Sequence, residues 1–266
     1  MAAKNAMEIF ALLDKSNCRQ CGEKTCLAFA GKVFLGERNI RLCPNLSAGD
    51  IRKIEGGEEE EKNVDGFREE YLLKLKRQVS ELDFEEVAAR TGCRYHDCRL
   101  TVRIMGKNFT VLKNCDFVTD LHTIHWLVVP LLEYILGCRG VAESGCWISF
   151  RELEGGKEKY PLFKKRSEDV MKNLADKYTD FFDDIIHMFD GKSVEREFQS
   201  DVSVVLYPLP MVPLMLCYWK AEEGLGSSLN LFFDKSADHN LGIDGLFLLC
   251  SGLALMFERL AEHHGF

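Results

Sequence analysis

Apolar residues recur along this chain with two different periods, and each period predicts a different kind of element. A spacing of three or four positions gives a helix one apolar face, and it marks eight segments: 6–13, 26–35, 67–79, 82–90, 121–135, 162–178, 180–189 and 244–262. Thr25 is a typical N-cap for the second helix, and Gly36 is a typical stop. Ser80 and Asp83 resemble a capping box for the fourth helix, which Gly92 ends.

Shorter runs rich in β-branched and aromatic residues predict strands at 100–105, 109–112, 147–153, 202–207, 213–219 and 229–233. Gly106-Lys107-Asn108 separates the first two and predicts the turn of a β-hairpin. Helices and strands are interspersed without the regular βαβ order of a parallel sheet. We therefore expect an α+β protein, with a small helical domain first and a larger mixed α+β domain after it.

A polar segment at 55–66 predicts the boundary between these domains. Four consecutive glutamates at 58–61 follow Gly56-Gly57, and like charges next to glycine repel one another and stay solvated. This pattern favours a linker between a domain at 1–54 and a second at 67–266; the acidic start of a helix is the alternative. Residues 1–54 carry nine Lys or Arg and five Asp or Glu, a net +4, so the total of −8 leaves −12 for 55–266.

Composition and charge exclude several classes of protein. The chain has 266 residues, of which 46% are hydrophobic, so it can bury a core. Its net acidity argues against general nucleic-acid binding, which requires a basic surface. The longest apolar stretch, Val204–Trp219, contains three prolines and is shorter than the roughly 20 residues of a membrane span. The first eight residues lack the apolar core of a signal peptide, so we expect a cytoplasmic protein.

The eleven cysteines fall into two groups. Cys18, Cys21, Cys26 and Cys43 are spaced C-x2-C-x4-C-x16-C. The other seven are scattered over more than 150 positions: Cys93, Cys98, Cys115, Cys138, Cys146, Cys217 and Cys250. In a reducing compartment, clustered cysteines bind metal or do redox chemistry, whereas scattered ones are small buried hydrophobes. The first group is therefore the candidate metal site.

The spacing of the first group favours an iron–sulfur cluster over zinc. A zinc ribbon usually has two C-x2-C pairs, but here one pair is followed by two separate cysteines. Gly22 allows a tight turn between ligands, and Pro44 follows the last cysteine as in bacterial ferredoxins. Four basic residues nearby could offset a cluster's negative charge: Lys15, Arg19, Lys24 and Arg41. Zinc and ordinary thiols remain the alternatives.

Residues 5–46 resemble the N-terminal 4Fe–4S domain of the corrinoid/iron–sulfur protein large subunit and of the archaeal acetyl-CoA decarbonylase gamma subunit. The matching residues include Asn5-Ala6-Met7-Glu8-Ile9-Phe10, Asn17-Cys18-x-x-Cys21-Gly22 and Thr25-Cys26-Leu27-Ala28-Phe29-Ala30. The resemblance implies that Cys18, Cys21, Cys26 and Cys43 ligate one low-potential 4Fe–4S cluster. It also implies single-electron transfer, notably to reactivate cobalt that has become Co(II), with a corrinoid protein or methyltransferase as redox partner.

The chain departs from those families after this domain. Their large subunits continue into a barrel and a corrinoid-binding domain, for which 266 residues are too few. The corrinoid-ligating pattern Asp-x-His-x-x-Gly has only a partial match at Asp120-Leu121-His122, where His125 replaces the glycine. We therefore do not predict that this chain binds a corrinoid.

Two later segments resemble an uncharacterised domain that occurs beside this iron–sulfur module in anaerobes. The first is 147–156, from Trp147 to Gly156, with Tyr160 beyond it. The second spans 207–237 and includes Tyr207-Pro208-Leu209-Pro210, Trp219 and Leu231-Phe232-Phe233-Asp234. This resemblance implies a separate C-terminal domain and no particular mechanism.

Other candidate sites in the second domain are weaker. They are a metal pair His122 and His125, a second metal site of Cys93 and Cys98 with His96, a phosphate loop at Gly224-x-Gly226-Ser227-Ser228, Asp234 at the end of a strand, and a pocket lined by Trp147, Arg151 and Glu152. A structural role is favoured for each, since none completes a known ligand set and no nucleophile–base pair can be named.

These observations predict an iron–sulfur protein for electron transfer or reductive activation in anaerobic, corrinoid-linked one-carbon metabolism. Two alternatives remain: a redox enzyme whose C-terminal domain binds a substrate or cofactor, and an interaction module in which the four cysteines hold zinc.

Overall fold

The computed structural model describes residues 5–35, 38–55, 58–178, 180–194 and 197–263, with backbone only at 48, 52, 53, 55 and 58–65. The chain divides into two compact units, Met1–Leu72 and Leu73–Phe266. The first contains helices, and the second combines helices with two antiparallel sheets. The predicted α+β class is therefore confirmed.

Eleven α-helices are assigned within the described ranges: α1 (Ala6–Leu12), α2 (Cys26–Phe34), α3 (Ala48–Glu55), α4 (Glu58–Glu81), α5 (Phe84–Thr91), α6 (His125–Gly137), α7 (Gly156–Phe163), α8 (Asp169–Lys177), α9 (Phe181–Phe189), α10 (Ala237–Asn240) and α11 (Ile243–His263). A π-helical turn at Lys164–Glu168 joins α7 to α8. Among these described helices, none has both the length and the apolar character needed to cross a membrane.

The small unit is built around α1 and α2. The Thr25 hydroxyl accepts a hydrogen bond from the Ala28 N–H and caps α2 as predicted, while Gly36 lies outside the described residues. The apolar faces of the helices and the short 3₁₀ turn Ile40–Leu42 enclose eight buried residues: Ile9, Leu13, Cys26, Phe29, Ala30, Ile40, Cys43 and Ile54. Two predicted cluster ligands, Cys26 and Cys43, thus belong to this core.

Nine strands form the two sheets of the large unit: β1 (Arg94–His96), β2 (Arg99–Ile104), β3 (Lys107–Leu112), β4 (Phe117–Thr119), β5 (Trp147–Ser149), β6 (Lys192–Ser193), β7 (Val202–Leu209), β8 (Val212–Trp219) and β9 (Ser228–Asp234). The first sheet is the antiparallel meander β1-β2-β3-β4, and the second is antiparallel with the order β5-β9-β8-β7-β6. Met105 and Gly106 connect β2 to β3 with positive φ at both positions, which confirms the predicted hairpin.

The core of the large unit lies between the second sheet and its helices. Leu214, Leu216 and Leu231 are fully buried on neighbouring strands. The long helix α11 packs against α6, α8 and the π-helical turn. Phe150 stacks on Phe163 with ring centroids 3.8 Å apart, which fastens α7 to the end of β5.

Three local predictions differ from the structure. From Glu58 onward, the acidic segment predicted as a linker forms the start of α4, which was the alternative interpretation. The N-cap of α5 is Asp83, whose carboxylate accepts from the Glu85 N–H, whereas the Ser80 hydroxyl donates to the Arg77 carbonyl. The strand predicted at 147–153 ends at Ser149 because a 3₁₀ turn at Phe150–Glu152 follows.

Candidate functional site

The loop that carries the first two motif cysteines has an unusual backbone. Lys15, Asn17 and Arg19 have φ of 62°, 52° and 64°, and Gly22 follows at 84°. A positive φ is costly for residues other than glycine, and such residues concentrate where a loop must hold a ligand. Gly22 confirms the predicted tight turn. The loop is therefore shaped by something other than the preferences of its own residues.

Asn17 joins this loop to the start of α2. Its side-chain oxygen accepts a hydrogen bond of 2.8 Å from the backbone N–H of Cys26. That N–H is one of the first-turn donors that a helix leaves without an internal partner. The contact fixes the third motif cysteine relative to Cys18, which directly follows Asn17 in the chain.

Asp14 and Asn45 link the motif cysteines to one another. The amide nitrogen of Asn45 lies 2.5 Å from an oxygen of Asp14 and 3.8 Å from the sulfur of Cys18. The other oxygen of Asp14 lies 4.0 Å from the sulfur of Cys26. Bonds from the backbone N–H and hydroxyl of Ser16 hold the pKa of Asp14 below its usual value. Asp14 is thus an ionised carboxylate at the centre of the thiol group.

Cys43 returns to the same place from beyond α2. Burial raises the pKa of its thiol, and the charges of Asp14, Cys21 and Cys18 raise it further. These electrostatic effects place Cys43 near both thiols of the C-x2-C pair. The four motif cysteines thus gather at one end of the small unit, with Cys18 exposed, Cys21 half-buried, and Cys26 and Cys43 buried.

Soft thiolate donors of this number suit zinc and iron–sulfur clusters. Across the described ranges, no three His, Cys, Asp or Glu side chains are already placed to hold one metal ion. The assignment of the four cysteines as ligands therefore stays a prediction, supported by their grouping around Asp14 and by the chemistry of the donors.

The predicted second metal site of Cys93, His96 and Cys98 is not brought together. Cys93 is buried and its thiol lies 3.8 Å from the Thr91 carbonyl, and burial raises its pKa to about 11. The His96 side chain is 85% exposed and faces Asp97, while Cys98 is exposed beside the Tyr95 hydroxyl. Burial of one member and exposure of the other two separate this set.

The histidine pair and the glycine-rich segment also have structural roles. His122 precedes α6 and is exposed, and only His125 begins the helix, so the two do not share a helical face as predicted. Gly224 has φ of 85°, and Glu222 and Leu225 exchange two backbone hydrogen bonds of 3.0 Å around it. The glycine-rich segment is therefore the loop between β8 and β9.

Asp234 has a larger role than ending a strand. It is 1% exposed and accepts hydrogen bonds from the backbone N–H groups of Ser144, Gly145 and Ser236 at 2.7–3.1 Å. Burial alone would raise its pKa, but these bonds hold the pKa below the usual value. Asp234 fixes the chain before β5 onto the end of β9.

The predicted pocket of Trp147, Arg151 and Glu152 is likewise structural. Trp147 packs beside the buried side chains of Val205, Met215 and Cys217 on the second sheet. Glu152 accepts from the N–H and hydroxyl of Ser149, which completes a capping box. Arg151 lies over the ring of Tyr160 at 4.3 Å.

Sequence reasoning missed two residues of the small site and one of the large unit. Asp14 and Asn45 lie close to the cysteines in sequence, which is the signal that could have found them. Glu168 is 1% exposed in the π-helical turn, and burial raises its pKa. No pattern in the sequence distinguishes it from the exposed acids around it.

Two family models match the chain. One, described as "Putative Fe-S cluster", covers residues 13–45. The other, described as "Domain of unknown function (DUF3786)", covers residues 83–256 and thus about two thirds of the chain. The predicted recognition of an N-terminal iron–sulfur module joined to an uncharacterised domain is confirmed.

Curated relatives are similar to the N-terminal part alone. The acetyl-CoA decarbonylase/synthase complex subunit gamma of Methanothermobacter thermautotrophicus is 42% identical over 50 residues, 19% of this chain and 11% of that protein. The same subunit of Methanopyrus kandleri is 40% identical over 55 residues, 21% and 12% of the two chains. The corrinoid/iron–sulfur protein large subunit of Moorella thermoacetica is 44% identical over 41 residues, 15% and 9%. The chain thus spans about a tenth of these relatives. No solved structure matches it.

Proposed function

Since this chain belongs to the DUF3786 family and carries an iron–sulfur module at its N-terminus, we propose that it is a single-electron carrier or reductive activator. The proposal assigns one 4Fe–4S cluster to Cys18, Cys21, Cys26 and Cys43. The observation that carries it is that the match at 13–45 encloses these four cysteines and none of the other seven.

A bound 4Fe–4S cluster supplies a site that gains and loses one electron. The residues of the chain bind it and orient its ligands. Asn17 holds the backbone N–H of Cys26, and Asn45 ties Cys18 to Asp14. Exposure of Cys18 leaves one side of the site open to a partner, which electron transfer requires. The negative charge of Asp14 beside the thiolates favours a low reduction potential.

The proposed partner is a corrinoid protein or a methyltransferase of anaerobic one-carbon metabolism. This part of the proposal rests on similarity to subunits of the acetyl-CoA decarbonylase/synthase complex and to the corrinoid/iron–sulfur protein. All eleven cysteines are free thiols, which suits the reducing cytoplasm in which the proposal places the chain.

Anaerobic purification followed by iron, acid-labile sulfide and zinc analysis tests the proposal. We expect four irons and four sulfides per chain, a brown protein, and a paramagnetic cluster after reduction with dithionite. Cys18→Ser and Cys43→Ser should each lower the iron content. Cys98→Ser is the matched control because Cys98 is also an exposed or accessible thiol but lies outside the motif.

Two results would contradict the proposal. One equivalent of zinc with no acid-labile sulfide would favour a structural zinc site. A cluster that dithionite fails to reduce would remove the electron-transfer role and leave a structural one.

A further inference from the structure

The large unit contains a cavity of about 530 Å³ between α6, α11 and the helical segment that runs from α7 to α8. This volume is within the range of small-molecule sites, about 300–1,000 Å³. Leu162, Leu248 and Leu255 supply apolar walls, while Lys165 and Arg166 add two cations at one side. The cavity therefore combines an apolar body with a positively charged edge.

One wall of the cavity is the indole ring of Trp126. The ring lies directly on the backbone of α11 at Gly252, where an added Cβ would be only 2.1 Å from the indole Cε3. Any larger residue at position 252 would displace the ring. The glycine thus allows Trp126 to present a flat aromatic surface to the cavity.

The two cations of the cavity are not neutralised by the protein. Lys165 and Arg166 are exposed, and neither has an ion-pair or hydrogen-bond partner among the described residues. Glu258 is the one acidic side chain among the residues that line the cavity. Residues 55–266 carry a net −12, so this edge is positive within an acidic part of the chain.

The cations are positioned by a π-helical turn that a buried carboxylate anchors. Glu168, at the end of the turn, accepts bonds from the Tyr160 hydroxyl at 2.9 Å and the Leu231 N–H at 3.1 Å. The adjacent Ser167 hydroxyl lies 3.4 Å from that of Ser251, which lines the cavity. π-helical turns are rare and frequently occur at functional sites, and burying a carboxylate is costly. The chain thus holds this turn in place at some expense.

We propose that this cavity binds a small organic anion with a flat aromatic body. The acidic group of the ligand lies against Lys165 and Arg166, and its ring lies against Trp126. Glu168 is a positioning residue that acts through the π-helical turn. The proposal is independent of the cluster site, because every residue that carries it belongs to the large unit.

Titration of the full-length protein with 8-anilinonaphthalene-1-sulfonate, a flat aromatic anion that fluoresces when bound, tests the proposal. We expect saturable binding that weakens as salt is added. The double variant Lys165→Gln/Arg166→Gln should bind about tenfold more weakly, since hydrogen bonds to charged groups contribute this much. The control is Lys157→Gln/Lys235→Gln, which removes two exposed cations outside the cavity and should bind as the wild type does.

A second variant and a competition complete the test. Gly252→Ala should weaken binding with both cations intact, and circular dichroism checks that each variant is folded. Displacement of the probe by 1-naphthoate or by 1-naphthyl phosphate supports the site and tells which acidic group it prefers. Absence of saturable binding, equal loss in the control, or displacement by neither competitor would overturn the proposal.

Discussion

The two units of this protein use cysteine in opposite ways. The small unit places four cysteines within 26 positions and gathers them around Asp14 at one end. The large unit disperses seven, of which five are buried: Cys93, Cys115, Cys138, Cys217 and Cys250. Buried thiols in apolar surroundings are inert, whereas grouped thiols suit metal binding. The same residue type therefore has two roles, and its spacing in the sequence distinguishes them.

The units also differ in how their polar side chains connect the chain. In the small unit, Asn17 reaches Cys26 over nine positions and Asn45 reaches Asp14 over 31. In the large unit, Asp234 reaches Ser144 over 90 positions and Glu168 reaches Leu231 over 63. Shorter links leave a trace in the motif, and longer links appear only in the folded structure.

The largest expected effect is on thiol reactivity, which separates the two groups of cysteines. In the native protein under anaerobic conditions, iodoacetamide should modify Cys98 and Cys146, which are exposed, and leave the four motif cysteines unmodified because metal ligation blocks them. After the cluster is removed, Cys18 should become reactive. Peptide mass spectrometry measures the modification at each position.

The buried thiols of the large unit provide the internal control for this labelling. Burial raises the pKa of Cys250 and Cys217, so neither should react before or after removal of the cluster. Modification of Cys18 in protein that still contains its full iron would contradict its assignment as a ligand.

A core substitution in the large unit should have the next largest effect. Phe150 is fully buried and stacks on Phe163, so Phe150→Ala removes an aromatic ring from a close-packed site. We expect the free energy of unfolding of the large unit to fall by about 3–5 kcal/mol. Chemical denaturation followed by circular dichroism measures the loss.

The comparison adds a specific condition to this result. Because the cluster ligands belong to the small unit, Phe150→Ala should retain the visible absorbance of the cluster under native conditions. A variant that loses its iron while still folded would contradict the independence of the two sites. Phe150→Leu, which keeps most of the apolar volume, should recover much of the stability.

Much of the fold could be predicted because its elements have strong local signals. The hairpin of β2 and β3 follows from Gly106, and α2 follows from Thr25 and its apolar spacing. The start of α4 was harder, because a run of glutamates is compatible with both a linker and a helix. The end of β5 at Ser149 depends on the Glu152 side chain, which periodicity does not report.

The candidate sites divide in the same way. The cysteines of the small unit were found because their spacing is itself the signal. The weaker candidates of the large unit failed because proximity in sequence does not ensure proximity in space: Cys93 points into the core and Cys98 lies outside it. The cavity beside Trp126 needs α6, α11 and the π-helical turn together, and no local pattern could have indicated it.

An intermediate effect is expected from the buried acid of the large unit. Burial raises the pKa of Glu168 in the folded state, so the folded protein binds this proton more tightly than the unfolded chain does. The resulting stabilisation is fully present below the unfolded pKa, about 4.3, and is lost as the pH rises through the folded pKa. Glu168→Gln should therefore be more favourable relative to the wild type at pH 7 than at pH 4.5.

Denaturation of both proteins across this pH range measures the difference. Asp234 gives the opposite sign, because its folded pKa is lowered and its stabilisation is lost as the pH falls. Asp234→Asn should accordingly cost more at pH 7 than at pH 3. Equal pH dependence of the wild type and Glu168→Gln would contradict the role given to burial.

The smallest effect comes from two helix caps, one in each unit. Thr25 caps α2 through the Ala28 N–H at 3.1 Å, and Asp83 caps α5 through the Glu85 N–H at 2.8 Å. Alanine at either position should cost about 1 kcal/mol. The small unit has only eight buried core residues, so the same loss is a larger share of its stability. Hydrogen exchange should therefore accelerate about fivefold throughout the small unit in Thr25→Ala, whereas in Asp83→Ala it should accelerate only within α5. Thr25→Ser keeps the acceptor oxygen and should restore the wild-type rates, and acceleration confined to α2 in Thr25→Ala would show that the small core is as robust as the large one.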